Sequence, residues 1–308
     1  MRTNAGYSPT PLVKLDKLAQ KSGIGELWVK DESKRFGLNA FKALGATYAI
    51  GKVLARKLSA DIEDLSFELL KSKEVKARLG DITFTTTTDG NHGRGVAWAA
   101  RELGQKAVIY MPKGSSKRRL DAILETGAKA YITDLNYDDA VRMTWSKARE
   151  NNWELIQDTA WEGYEEAPYT IIMEPENAAC IFKSARINDG KPHSVEGDLS
   201  TIMAGLSCGE PNPIGWEMMR DYAGIFFSCS DYIAERDIRV LANPLPGDER
   251  IISGESGSVG IGLLSLLAGE EKYRPLLRDM GIGKDSRILV ISTEGDTDPE
   301  KYQEILWG

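Results

Sequence analysis

Histidine and cysteine are scarce in this chain. Its 308 residues include two histidines, His92 and His193, and three cysteines, Cys180, Cys208 and Cys229. No C-x-x-C or H-E-x-x-H motif occurs, which excludes the standard structural zinc and zinc-protease sites, and we expect no metal. Any Ser-His-Asp or Cys-His centre would have to use one of the two histidines. The low, odd cysteine count indicates reducing surroundings, although a bridge between Cys208 and Cys229 stays open.

Long apolar segments and an excess of positive charge are also missing. No uninterrupted apolar stretch reaches about 18 residues, so we expect no membrane association. The start of the chain, MRTNAGYSPTPLVKL, lacks the apolar core of a signal peptide, which favours a cytoplasmic protein. The net charge of −7 gives no electrostatic attraction for nucleic acid. With 42% hydrophobic and 28% charged residues, the composition is that of a folded globular chain.

Strand and helix patterns alternate through the first half of the chain. The predicted strands are 26–30, 82–88, 107–111, 130–133 and 153–157, and the predicted helices begin near Phe41 and cover 96–104, 115–126 and 138–150. Such alternation predicts parallel βαβ units in an α/β fold, with ligands at the carboxyl ends of the strands. The second half is less regular, with predicted helices at 176–186, 214–228 and 259–267 and predicted strands at 201–206 and 287–291.

Lys42 stands in the segment FGLNAFKALG, among small and apolar residues at the start of a predicted helix. Partial desolvation and the positive end of a helix both favour a neutral amine, which is the form that attacks a carbonyl group. The alternative interpretation is a solvated lysine on the surface of a helix.

The segment TTTTDGNHGRG, residues 85–95, joins a predicted strand to a predicted helix. Backbone N–H groups at a helix start bind carboxylate or phosphate, and Thr88, Asn91 and His92 add side-chain donors. Asp89 does not suit an anion site, so it is either a helix cap or a base close to a bound substrate. The spacing of the glycines is not that of a dinucleotide-binding fingerprint.

Three further segments contain candidate polar groups. Asp158 ends the predicted strand 153–157 and would point to the same sheet edge as Asp89. The segment 254–257, GESG, precedes an apolar helix and is a second candidate helix-start cradle. Ser292 and Thr293 close the last predicted strand and could hydrogen-bond a ring nitrogen. Each of these also has a plain structural interpretation as a cap, a loop or a strand end.

Taken together, the motifs resemble those of the diaminopropionate ammonia-lyases, which are fold-type II pyridoxal phosphate enzymes. The resemblance extends along almost the whole chain and is carried by the segments KDESKRFGLNAFKALGA, TTTTDGNHGRGVAWAARELG, QDTAWEGYEE, CGEPNPIGWE, SGESGSVG and STEGDTDPEKY. It implies two doubly wound, mostly parallel sheets. We expect a large cofactor domain of residues 1–41 plus 145–308 and a small substrate-side domain of residues 42–144.

The resemblance also implies a role for each matching residue. Lys42 would form the Schiff base with pyridoxal 5'-phosphate, and Asp89 and Asp158 would take the α-proton from the D and L isomers of the substrate. The cofactor would further contact Asn91, Glu255 and Ser292, or Thr293 in place of Ser292. Thr88, Gly90, His92 and Tyr137 would bind the substrate.

The activity implied is the elimination of ammonia from 2,3-diaminopropionate, giving pyruvate and ammonia, by a homodimer with a small amino-acid substrate. Another fold-type II ammonia-lyase acting on serine or threonine is the alternative within enzymes. A non-catalytic homologue without the phosphate loop is the alternative outside them.

One departure from the family lies after Met173. Family members continue there with a further strand and a glycine-rich loop that binds the cofactor phosphate, whereas here Glu174 follows directly. Either residues are missing from the sequence as given, or the chain is shorter at this point. A Cα–Cα step wider than about 3.8 Å between Met173 and Glu174 would indicate missing residues.

Overall fold

A computed structural model describes residues 6–156 and 170–308. The chain divides into two compact units, the first formed by Met1–Pro9 and Arg35–Asp158 and the second by Thr10–Lys34 and Thr159–Gly308. These bounds differ from the domain bounds expected from the sequence. The assignment of a cofactor domain and a substrate-side domain stays a prediction.

The described residues form strands and helices in the following order. The strands are β1 (Leu12–Lys14), β2 (Glu26–Asp31), β3 (Thr83–Thr87), β4 (Lys106–Met111), β5 (Lys129–Ile132), β6 (Glu154–Leu155), β7 (Thr170–Pro175), β8 (Ala223–Cys229) and β9 (Arg287–Ser292). The α-helices are α1 (Asp16–Ser22), α2 (Ala43–Leu58), α3 (Phe67–Leu70), α4 (Lys73–Leu79), α5 (Asn91–Glu102), α6 (Lys117–Leu124), α7 (Tyr137–Asn151), α8 (Cys180–Ile187), α9 (Pro213–Tyr222), α10 (Asp231–Ala242), α11 (Val259–Gly269), α12 (Arg274–Asp279) and α13 (Pro299–Trp307).

The first unit is built around a parallel sheet with the strand order β5-β4-β3-β6. The central strand β3 has the sequence TFTTT and is buried over most of its length. Its hydroxyl groups are satisfied inside the unit, since Thr85 Oγ1 donates to Val108 O (2.7 Å) and Thr87 Oγ1 lies 2.7 Å from Thr144 Oγ1. β-Branched threonine therefore serves as a buried strand residue here, because each hydroxyl finds a partner.

The second unit contains two sheets. In one, β2 pairs with β1 antiparallel and with β9 parallel, and in the other β7 and β8 are parallel. The apolar helix α11 lies in the core of this unit and is close to both sheets, since a Cβ at Gly260 would lie 3.3 Å from Met173 Cε and 3.6 Å from Val290 Cγ1. Parallel strands and covering helices confirm the α/β class with mostly parallel sheets.

Two predictions for the second half of the chain were wrong. The segment 201–206 is not a strand but ends in a 3₁₀ turn, Ala204–Leu206, because Asp231 accepts a hydrogen bond from the backbone N–H of Ile202 (3.2 Å). The predicted helix 214–228 ends at Tyr222, and its apolar remainder forms strand β8. The β-rich sequence AGIFFSC pairs with β7 instead of continuing the helix.

Strand β7 is continuous across Met173 and Glu174. Its pairing with β8 runs through both residues, from Met173 with Phe227 to Glu174 with Ser228. The Glu174 carboxylate accepts hydrogen bonds from the backbone N–H groups at the start of α8, at Ile181 (3.0 Å) and Phe182 (2.7 Å), while burial raises its pKa. In the sequence as given, Met173 and Glu174 therefore belong to one paired strand, and Glu174 connects that strand to the start of α8.

Within residues 6–156 and 170–308, none of the helices combines the length and the apolar character that a membrane crossing requires. All three cysteines are free thiols, including Cys208 and Cys229, for which the sequence left a bridge open.

Candidate active site

Lys42 directly precedes helix α2 and is half-buried. Its Nζ lies 5.6 Å from the centroid of the Phe41 ring. Helix α5 packs closely against its backbone, because a Cβ at Gly95 would lie 3.0 Å from both Lys42 C and Ala43 N. Glycine at position 95 therefore brings the lysine segment and the TTTTDGNHGRG segment together within the first unit.

The turn from β3 to α5 is held by the hydroxyl of Thr88. Thr88 Oγ1 accepts hydrogen bonds from Gly90 N (2.9 Å) and Gly93 N (3.0 Å). Thr88 is thus the residue that caps this helix start, a role that the sequence had offered to Asp89. Gly90 has φ +157°, a conformation that glycine adopts readily and other residues adopt rarely.

Asp89 is directed to an arginine instead of the helix start. Its Oδ2 lies 3.7 Å from Nη1 of Arg119, and the side chains of Asp89 and Arg119 are only 18% and 9% exposed. The Arg119 side chain packs over Gly90, where a Cβ would lie 3.0 Å from Arg119 Cδ. Asp89 is thus a half-buried carboxylate beside a guanidinium at the start of α5.

His92 is buried and its Nε2 lies 3.0 Å from the carbonyl oxygen of Ile156. The contact connects the start of α5 to the chain just after β6. Asn91 and Tyr137 are the first residues of α5 and α7, and both are half-buried. Asp158, the second carboxylate predicted from the sequence, lies outside the described residues.

The helix start of α11 in the second unit is occupied by carboxylates of the protein itself. Glu294 Oε1 accepts from Ser256 N (3.0 Å), and Asp237 Oδ1 accepts from Gly262 N (3.2 Å). Backbone oxygens take two further donors, Gly254 N and Gly257 N. The candidate cradle at residues 254–257 therefore donates to groups within the unit.

Ser292 lies at the carboxyl end of β9 and is fully buried. Its Oγ lies 3.2 Å from Ser253 Oγ, which in turn lies 2.9 Å from Ser258 Oγ. Thr293 Oγ1 donates to the backbone oxygens of the loop before α11. Glu255 is buried in that loop. Ser292 thus ends a chain of hydroxyl groups, whereas the hydroxyl of Thr293 is bound to the backbone.

Comparisons with known proteins identify the family. Residues 3–172 match the family described as pyridoxal-phosphate dependent enzyme. The diaminopropionate ammonia-lyase of Escherichia coli (strain K12) is 47% identical over 358 residues, covering 98% of this chain and 88% of the relative. The chain belongs to the diaminopropionate ammonia-lyases, within the pyridoxal-phosphate dependent enzymes.

Two solved structures of a diaminopropionate ammonia-lyase are similar over the same length. The Escherichia coli enzyme in complex with D-serine has a TM-score of 0.90 at 45% identity, covering 99% of this chain and 89% of that one. The same enzyme with an aminoacrylate-PLP azomethine reaction intermediate has a TM-score of 0.87 at 44% identity, with the same coverage. These structures confirm the fold-type II architecture and the pyridoxal phosphate dependence expected from the resemblance.

The alignment with this relative is longer than the chain itself. It spans 358 positions against 308 residues here, so at least 50 positions of the diaminopropionate ammonia-lyase alignment have no counterpart in this chain. The match to the pyridoxal-phosphate dependent family ends at residue 172, next to Met173. Strand β7 crosses that point without interruption.

Two of the residues predicted from the sequence have the chemistry that pyridoxal phosphate needs. Lys42 would offer an amine to the aldehyde, and Ser292 would offer a hydroxyl to the ring nitrogen. The phosphate is different, because the glycine-rich starts of α5 and α11 already donate to Thr88, Glu294 and Asp237. These two helix starts do not supply a phosphate cradle.

Sequence reasoning missed three groups that the structure places beside predicted residues. Arg119 contacts Asp89, and Asp237 and Ser253 extend the hydroxyl chain of Ser292. A charged residue among helically spaced apolar residues was the available signal for Asp237, since it interrupts the spacing of Ile233, Ile238 and Leu241 in α10. No comparable signal existed for Arg119, which follows two other basic residues.

Proposed function

We propose that this protein catalyses the α,β-elimination of 2,3-diaminopropionate, in its D and L forms, to pyruvate and ammonia. The observation that carries the proposal is the arrangement at the start of α5. Gly95 seats the backbone of Lys42 against this helix, and Asp89 stands at its beginning as a half-buried carboxylate. An amine and a carboxylate on adjoining segments are the two groups that such an elimination requires from the protein.

When bound, pyridoxal phosphate supplies the electron sink for the carbanion chemistry. The residues of the chain then have separate tasks. Lys42 would hold the cofactor through its amine, and Ser292 would hydrogen-bond the ring nitrogen, with Asn91 and Glu255 as further contacts. Thr293 is the alternative to Ser292 for this task, and each hydroxyl also has a backbone acceptor, Glu294 O at 3.3 Å for Ser292 and Ser256 O at 3.2 Å for Thr293.

The substrate is positioned by the segment around Thr88, Gly90 and His92, with Tyr137 as a further contact. The α-proton of the D isomer is taken by Asp89 and that of the L isomer by Asp158, from the opposite face. Two carboxylates in these roles account for the use of both stereoisomers by one protein, since a single base reaches one face of a planar centre.

The first experiment uses the visible colour of the bound cofactor and a matched pair of lysines. Lys42 and Lys52 both lie over an aromatic ring, with Nζ 5.6 Å from Phe41 and 5.7 Å from Tyr48. Lys42→Ala should abolish the visible absorption band and the release of pyruvate, and Lys52→Ala should change neither. A colourless wild-type protein that takes up no pyridoxal phosphate would favour the non-catalytic homologue.

The second experiment identifies the substrate. Turnover of D- and L-2,3-diaminopropionate is measured beside turnover of serine and threonine, and diaminopropionate should be the faster substrate. Preference for serine or threonine would favour the alternative ammonia-lyase. Asp89→Asn should reduce turnover of the D isomer and spare that of the L isomer, and equal loss on both contradicts the two-base assignment.

We also propose that the protein works in the cytoplasm as a homodimer. The support is the absence of long apolar segments from the sequence and the resemblance to the family. Light scattering of the purified protein measures the assembly directly, and a monomer mass for the active protein contradicts it.

A further inference from the structure

A buried carboxylate of the second unit is connected to Ser292 through two hydroxyl groups. Asp237 Oδ2 lies 2.9 Å from Ser258 Oγ, which is followed by Ser253 Oγ (2.9 Å) and Ser292 Oγ (3.2 Å). All four side chains are buried, with 1% of Asp237 and none of Ser253 and Ser292 exposed. The chain of oxygen atoms is continuous and is shielded from water.

We propose that Asp237 is a positioning residue that sets the donor direction of this hydroxyl chain, and that its neutral form turns the Ser292 proton toward the cofactor ring nitrogen. The inference rests on the proposed function, because it uses the assignment of Ser292 to that nitrogen. The hydroxyl groups of such a chain share one donor direction, since each has a single proton, donates it to one neighbour and accepts a hydrogen bond from the other.

The two directions follow from the charge of Asp237. An ionised carboxylate only accepts, so Ser258 donates to it, Ser253 donates to Ser258, and Ser292 donates to Ser253. The proton of Ser292 then points to Ser253, so Ser292 can only accept a hydrogen bond from a group outside the chain of hydroxyls. A neutral carboxyl donates to Ser258 and reverses each hydroxyl in turn by rotation, without breaking an O–H bond. The proton of Ser292 is then free to reach a ring nitrogen, with the carbonyl oxygen of Glu294 at 3.3 Å as the competing acceptor.

The surroundings of Asp237 favour the neutral form. Burial raises the pKa of Asp237 to about 8, against the hydrogen bonds from the side chains of Ser258 and Ser253 and from the backbone of α11 that lower it. Oδ1 accepts from Gly262 N and Oδ2 lies 2.9 Å from Ser258 Oγ, so a proton on Oδ2 can be donated to Ser258. Among the described residues, no arginine, lysine or histidine forms an ion pair with Asp237.

The elements packed against α10 differ in the titratable groups that they bring near Asp237. Helix α11 has none, and α13 presents Tyr302, whose pKa is raised first by its own burial and to a lesser extent by the charges of Asp296 and Asp237. On α10 itself Arg236 donates to Ser265, and Arg239 pairs with Glu235. The nearby loops carry the carboxylates Glu255 and Glu294 and the basic Arg250, which interacts with Tyr302.

The test follows the absorption spectrum of the bound cofactor in the full-length protein as the pH is raised. The wild-type spectrum should change with a midpoint near the pKa of Asp237, about 8. Asp237→Asn keeps the shape of the side chain, and its amide donates to Ser258 at every pH, so this transition should disappear and the low-pH spectrum should persist. Ser253→Ala interrupts the chain and should also remove the transition.

Glu235→Gln is the matched control, since it removes a carboxylate from the same helix outside the hydroxyl chain, and it should behave like the wild type. A transition that persists in Asp237→Asn or in Ser253→Ala overturns the inference. A wild-type spectrum that does not change near pH 8 overturns it as well.

A second arm uses the protein without pyridoxal phosphate. The folded-state pKa of Asp237 is above its unfolded value, so its contribution to stability is greatest at acid pH and is lost as the pH rises from about 4 to about 8. Asp237→Asn has no such loss, so its unfolding temperature relative to that of the wild type should rise across this range. Parallel curves overturn the inference. If the protein binds no pyridoxal phosphate, the proposed function fails and the inference fails with it, whereas parallel curves in a protein that does bind the cofactor overturn the inference alone.

Discussion

The glycine-rich starts of α5 and α11 have similar sequences and opposite electrostatics. At α5, the backbone donors bind the neutral hydroxyl of Thr88, and the carboxylate of Asp89 lies beside Arg119. At α11, two buried carboxylates, Glu294 and Asp237, take backbone donors directly. At α5 the neighbouring carboxylate does not take up the backbone N–H groups, because a hydroxyl accepts from them. At α11 the backbone N–H groups are taken up by the carboxylates themselves. The glycine-rich sequence alone does not show which kind of acceptor a helix start has.

The largest expected effect concerns the packing at α11. A Cβ at Gly254 would lie 2.3 Å from the backbone oxygen of Gly295. Since a backbone atom cannot turn aside as a side chain can, Gly254→Ala should destabilise the protein by about 3 kcal/mol. Chemical denaturation measures this loss. Gly283→Ala is the control, because a Cβ there meets no atom within 4 Å, and a comparable loss in both variants contradicts the close packing at α11.

The next effect concerns the hydroxyl that holds the start of α5. Thr88→Val keeps the shape of the side chain but leaves Gly90 N and Gly93 N without their acceptor. Unsatisfied buried donors cost about 1–3 kcal/mol each, so we expect a loss of about 2 kcal/mol in the free energy of unfolding. Thr83→Val, at the half-buried beginning of the same strand, should cost less. Equal losses show that Thr88 acts by shape alone.

A substitution of Arg119 tests the role of Asp89, the carboxylate at the start of α5. Arg119→Met keeps the stem that packs over Gly90 and removes the charge beside Asp89. Turnover of D-2,3-diaminopropionate should fall about tenfold, which is about 1.4 kcal/mol of transition-state free energy, with turnover of the L isomer nearly unchanged. Arg118→Met, at the exposed neighbouring position, is the control. Equal loss on both isomers means that Arg119 supports the fold and not Asp89.

The smallest expected effect concerns the phosphate of the cofactor. Because neither glycine-rich helix start offers a cradle, pyridoxal should bind within about tenfold of pyridoxal phosphate, a difference of about 1.4 kcal/mol. Titration of the cofactor-free protein with both compounds, followed by absorbance, measures the ratio. A preference for the phosphate of about a thousandfold or more shows that another part of the chain binds it.

The secondary structure of the first half of the chain could be predicted because its strands and helices alternate and have different spacings of apolar residues. Strands β2 to β5 lie within one or two residues of their predicted bounds, since each apolar run ends at a polar or glycine-containing loop. The prediction failed where that separation is missing, because helix α9 runs into β8 without an intervening loop. In such a place the pairing partner decides the conformation, and the partner is remote in sequence.

The candidate active-site residues were predictable where one segment carries both the residue and its setting. Lys42 and Asp89 belong to this group, because a lysine among small apolar residues and an aspartate in a glycine-rich turn are unusual locally. Arg119 and Asp237 could not be predicted, since their contacts with Asp89 and Ser258 join different elements. Whether a buried carboxylate is neutral or ionised depends on such contacts.

The pairing of β2 with β9 also determines when the second unit can fold. Glu26 pairs with Arg287 and Asp31 with Ser292, so the two strands are far apart in the sequence. Pairing between distant segments is slow, because the loss of chain entropy comes before any contact stabilises it. During translation one edge of β2 stays without its partner until β9 has emerged. A nascent chain that stops before Arg287 keeps this edge open to pairing with other chains, so premature termination should produce aggregates instead of a smaller folded protein.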